Sequence, residues 1–132
     1  MAFAGISYLA VVVAAIAGYA FGAAYYMTLS KQWMAALGPM KPTTSSAAPF
    51  VIAFVAQLVI AYFLAGLIGH LGDVTVLRSV ISALFVWLPF VLATMIVNHR
   101  FQGSSWTLTL IDGGHWLGVF VVMGIVIGLF GV

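Results

Sequence analysis

Asp112 and His115 stand at i and i+3 in an apolar stretch, and on a helix of about 100° per residue they share a sector of about 60°. A carboxylate and an imidazole on one helix face can take up and pass a proton, because histidine changes charge near neutral pH. They can also share a metal ion, as carboxylate–histidine pairs do in helical bundles. The rest of the chain speaks against metal. His99 would be the nearest third ligand, His70 falls roughly 30 Å away at the far end of its own helix, and there is neither a Glu-x-x-His motif nor a cysteine. No metal and no other cofactor is expected. Enzymatic chemistry finds no footing either: the Ser/His/Asp order of a hydrolase, a pair of carboxylates and a phosphate-cradling glycine loop are all missing. No catalytic residue is therefore assigned.

The elements that must hold these groups follow from composition. The 132 residues are 65% hydrophobic and 5% charged, with no cysteine and a net charge of +2; mean hydropathy is +1.26. A soluble domain carries about a quarter charged residues, so lipid rather than water must cover this surface. A soluble enzyme, a disordered chain and a nucleic-acid binder are excluded. Four runs approach the ~20 apolar residues a spanning helix needs, at about 5–29, 49–71, 75–98 and 106–130. They lack the period-two alternation of barrel strands. The expected fold is an all-α integral membrane protein, four transmembrane helices in one bundle and one domain over 1–132. The first run is too long, and too poor in preceding basic residues, for a cleavable signal peptide. Pro39, Pro42 and Thr43-Thr44-Ser45-Ser46 break the first loop and cap the second span, Gly72-Asp73 turns into the third, and Ser105 is placed to cap the fourth. Pro89 inside the third span frees the carbonyl of Phe85 and is expected to kink it.

Lys31, Lys41 and Arg100 fall on the side of the first and third loops, and Arg78 on the side of the termini. The positive-inside rule then puts the termini outside and those loops in the cytoplasm. On the loop side, helix counting sets Asp112 about 9 Å deep, and His115 and Gln57 about 13 Å. Tyr26, Asn98 and His99 come from the same side, so the expected binding pocket comprises Asp112, His115, Gln57, Tyr26, Asn98 and His99. Each also has a structural role open to it. Gln57 and His115 can bond each other across helices; Asp112 can complement a helix N-terminus and pair with Arg100 or Lys31. Asn98, His99 and Arg100 can end a helix at the headgroups, and Tyr25, Tyr26, Trp33 and Trp106 suit an aromatic belt.

Small residues at four-residue spacing allow close helix approach in lipid. Ala10, Ala14, Gly18 and Gly22 form such a stripe in the first span, Ala61, Ala65 and Gly69 in the second, and Gly124 and Gly128 in the fourth. In that last helix the glycines and the Asp112/His115 pair occupy different faces, and both should meet protein. The helix is therefore central, or shared with a second subunit.

The residues also carry a family resemblance. Gly22-Ala23-Ala24-Tyr25-Tyr26 followed by Lys31-Gln32-Trp33-Met34, then Asn98-His99-Arg100-Phe101-Gln102-Gly103, Asp112-Gly113-Gly114-His115-Trp116 and Met123-Gly124 resemble the motifs of a bacterial membrane family, domain of unknown function family 1761. The likeness spans essentially the whole chain. Tyr25 replaces the family's usual Trp, and a Leu-Phe-Gly step before Lys31 is missing. The resemblance implies a four-helix protein of the bacterial inner membrane, with Tyr26, Trp33, Asn98, His99 and Phe101 on motif positions and no established activity. The expectation for function is a transporter-like or small-ligand-binding homo-oligomer, a dimer first. Its alternative is an accessory subunit packed against a larger membrane complex.

Overall fold

The computed structural model describes residues 5–42 and 45–131. Thr43 and Thr44, part of the expected capping run, lie outside the described residues. All regular structure among those described is helical: α1 (Tyr8–Thr28), α2 (Ser30–Leu37) with a 3-10 turn at Gly38–Met40, α3 (Ala48–Leu71), α4 (Val76–Phe101) and α5 (Trp106–Phe130). The helices α1, α3, α4 and α5 are long and apolar enough to cross a membrane. The chain is an all-α membrane protein.

Local chemistry sets the helix ends. Helix α1 begins after Ser7, whose hydroxyl accepts from the Ala10 amide at 3.1 Å, and not at Gly5. Pro49 stands in the first turn of α3, where its missing N–H leaves no gap in the ladder. Gly72 and Asp73 reverse the chain with φ of 79° and 49°, and Thr75 then caps α4 by accepting from the Arg78 amide at 3.2 Å. Helix α4 continues past Asn98 to Phe101 and ends before Gly103, at φ 73°. Ser105 accepts from the Leu108 amide at 3.1 Å and opens α5. Around Pro89 the backbone widens into a π-helical segment at Trp87–Leu92. A proline lacks the N–H and crowds the carbonyl four residues back, and a wider turn accommodates both.

Helices α1 and α5 form the central pair; α3 packs on the outer side of α1, and α4 on the outer side of α5. The small-residue stripes explain this order. Ala10 and Ala14 on α1, and Ala61 and Ala65 on α3, are fully buried, and these two helices pack together. On α5, a Cβ at Gly124 would lie 3.0 Å from the Ser79 carbonyl oxygen, and one at Gly128 would lie 2.5 Å from the Val76 Cα. The two faces of α5 thus both meet protein within a single chain. Leu77, Phe85, Leu88 and Phe90 on α4, like Phe50, Ile52, Val55 and Phe63 on α3, are exposed, which suits a surface that faces lipid tails.

Two substitutions probe this framework. Ser105 also donates from its hydroxyl to the Ala36 carbonyl at 3.2 Å, tying α2 to the start of α5. Ser105→Ala is expected to cost ~1 kcal/mol of stability through the lost cap and to raise hydrogen exchange in α2; unchanged exchange there would show that the tie contributes nothing. Ser79, fully buried where α4 meets α5, has a hydroxyl without a partner. Ser79→Ala is expected to leave the thermal midpoint unchanged or to gain up to ~1 kcal/mol, because an unsatisfied buried hydroxyl is removed.

Candidate functional site

The C-terminal end of α1 crosses the N-terminal turns of α5, and the polar groups gather there. The Tyr26 hydroxyl donates to Asp112 Oδ1 at 2.7 Å, and the Tyr25 hydroxyl donates to the Ile111 carbonyl at 2.7 Å. From α4, the Trp87 indole Nε1 donates to the Gly113 carbonyl at 3.1 Å. Three aromatic donors from two helices therefore grip one turn of α5. Gly113 and Gly114 make the grip possible: a Cβ at Gly114 would lie 2.7 Å from the Tyr25 hydroxyl, and one at Gly113 would lie 2.9 Å from a Leu92 methyl.

One turn deeper, His115 is 6% exposed and seated over Gly22, where a Cβ would come within 2.6 Å of Nε2. Aromatic rings enclose it, with centroids 4.6 Å away for Tyr26, 4.7 Å for Trp116 and 5.8 Å for Tyr25. Its Nδ1 is buried and has no hydrogen-bond partner. Gln57, from α3, is 3% exposed and seated over Gly18, with a Cβ there 2.5 Å from Oε1. That Oε1 is also buried without a partner. Gly18 and Gly22 are one turn apart, about 6 Å along the axis. The glycine stripe of α1 is thus a floor with two successive seats, one for Gln57 and one for His115.

Two of the structural roles open to these residues are not taken. No hydrogen bond joins Gln57 to His115, since each occupies its own seat, and Gln57 Oε1 and His115 Nδ1 both remain without partners. Asp112 pairs with neither Arg100 nor Lys31. The Arg100 Nη2 instead donates to the carbonyls of Ser104 and Ser105 and to the Thr109 hydroxyl, at 3.0, 3.2 and 2.8 Å. Its guanidinium also stacks 3.6 Å above the Trp106 ring. Lys31 is exposed on α2. Among the described residues the ion pair is Arg78–Asp73, at the opposite end of the spans.

The six expected site residues therefore separate. Tyr26, Asp112 and His115 meet directly, and Gln57 lies behind them. His99 bonds through Nδ1 to the Thr109 hydroxyl at 2.8 Å, sharing it with Arg100. Asn98 is exposed and, together with Phe90, Thr94, Met95, His99 and Gln102, lines an open groove of about 370 Å³ along α4. Asp112 and His115 form no cluster with a third His, Cys, Asp or Glu among the described residues. Sequence reasoning missed Trp87, met Trp116 only through the family motif Asp112-Gly113-Gly114-His115-Trp116, and left Tyr25 and Trp33 outside the expected pocket, as interfacial aromatics within family motifs. Trp33 on α2 packs against Tyr26 with ring centroids 5.5 Å apart. The Gly113-Gly114 pair between Asp112 and His115 was the available signal that large side chains approach α5 there.

No curated protein and no solved structure matches the chain. Residues 9–128 match the family model described as protein of unknown function (DUF1761), and with that match over nearly its whole length the chain belongs to this family.

Proposed function

We propose that the chain is a transporter-like, small-ligand-binding protein whose site is Tyr26, Asp112 and His115, with Gln57 one turn deeper. One observation carries this reading: His115 Nδ1 and Gln57 Oε1 are buried without partners, in line behind a half-buried Asp112. A buried unsatisfied polar group costs about 1–3 kcal/mol, and these two occupy successive seats on one glycine stripe behind a carboxylate, an arrangement that suits a guest. The row begins in the leaflet of the first and third loops, the cytoplasmic one by the bias of Lys31, Lys41 and Arg100. Assembly as a homo-oligomer, a dimer first, belongs to the same proposal; α4, where only Ser79 and Ala83 are buried, is the helix free to serve it.

Native mass spectrometry of the protein in mild detergent tests this. An oligomer carrying a bound small mass, lost on Asp112→Asn or His115→Ala, is the expected result. A bare monomer would overturn it. The exposure of α4 would then favour an accessory subunit seated against a larger membrane complex, which crosslinking in native membranes detects as a reproducible larger partner.

A further inference from the structure

Taking the proposed Asp112 site as a ligand site, we infer that its ligand is an organic monocation, a protonated or quaternary amine, with Asp112 as counter-charge and the rings of Tyr26, Trp33 and Trp116 beside it.

The charge inventory is the first argument. The chain has two acidic side chains. Asp73 is matched by Arg78 at 3.1 Å, whereas Asp112 has only the Tyr26 hydroxyl. The nearby Arg100 gives its Nη2 to Ser104, Ser105 and Thr109 and its face to the Trp106 ring, and its Nη1 is buried without making an ion pair to Asp112. An acidic group inside a membrane is paired as a rule, and among the described residues no cation pairs with Asp112. The partner comes from outside.

The second argument is the chemistry of the lining. The free atoms behind Asp112 are His115 Nδ1, an acceptor when the ring proton sits on Nε2, and the amide oxygen Gln57 Oε1. A carboxylate backed by an amide oxygen, and by an imidazole nitrogen that accepts in the Nε2–H tautomer, repels an anion and welcomes a donor. Tyr26 and Trp116 lie 4.6 and 4.7 Å from the His115 ring, and Trp33 lies 5.5 Å from Tyr26. Such rings bind ammonium groups through their faces. They also offer apolar surface that a hydrated metal ion cannot use. With two candidate metal ligands and several rings, an organic cation fits better than a metal.

The absence of cysteine permits a clean test. A single cysteine replaces His115, or Tyr25 in a second variant, and the protein is reconstituted into vesicles. Labelling is then compared for a trimethylammonium and a sulfonate methanethiosulfonate of similar size, each corrected for its rate with a free thiol. The expected result is that the cationic reagent reacts at least ~10-fold faster, as for a charge-focused cleft. That preference should disappear in the Asp112→Asn background, and tetramethylammonium should slow the labelling. Equal rates for both reagents would overturn the cation while leaving the pocket accessible. Failure of both reagents at both positions, in protein that keeps its helical circular dichroism, would show a sealed site and overturn the pocket reading as well.

Discussion

Gly128→Ala is expected to destabilise the protein by about 3 kcal/mol, near the upper end for an added methylene in a packed core. The reason is what the new methyl would meet. Its neighbours are the Val76 Cα at 2.5 Å, the Val76 amide nitrogen at 2.8 Å and the Thr75 carbonyl oxygen at 2.9 Å, all backbone and all at the capped start of α4. A side chain could rotate away; a helix start can only move off as a whole, taking the Thr75 cap with it. At Gly124 the closest atoms are 3.0 and 3.1 Å away, so Gly124→Ala should cost less. At Gly22 the obstacle is the His115 ring, which can swing aside. Gly22→Ala should therefore disturb the site more than the fold. Equilibrium unfolding in detergent orders the three variants. Equal losses at Gly128 and Gly22, or a change below ~0.5 kcal/mol at Gly128, would refute the close approach of α4 to α5.

The largest functional effect is expected from Asp112→Asn. Asparagine preserves the shape and the acceptor for the Tyr26 hydroxyl but removes the charge that no cation among the described residues balances. In proteoliposomes the substitution should reduce the proposed transport to the level of empty vesicles, because an amide cannot serve as a counter-ion. Flux equal to that of the unsubstituted protein would eliminate Asp112 as the counter-charge. Tyr26→Phe is the informative companion. It deprives Asp112 of its one hydrogen bond yet leaves the charge, so it should alter affinity while flux persists.

Much of this was legible in the residues because the bilayer simplifies the problem. Without water, backbone polar groups must be satisfied within the segment, so an apolar run of ~20 residues has little choice but a helix. Four spans, the Ser105 cap and the contact role of Gly124 and Gly128 follow from that and from residue size. The shared face of Asp112 and His115 follows from helical pitch alone. Periodicity identifies a face, however, and not its neighbour. Whether α5 lay within one chain or between two depended on the three-dimensional order of α3, α1, α5 and α4. That Arg100 turns to Thr109 and Trp106 rather than to Asp112 depended on α4 running on to Phe101, which carries the guanidinium over the α5 start. Likewise the bond from Trp87 to Gly113, and the separate seats of Gln57 and His115 over Gly18 and Gly22, join positions far apart in sequence. Hydropathy, pitch and caps act within a single helix and can be read from order along the chain. Pairing of polar groups is decided across helices, by which side chains reach each other once the glycines have set the helix spacing.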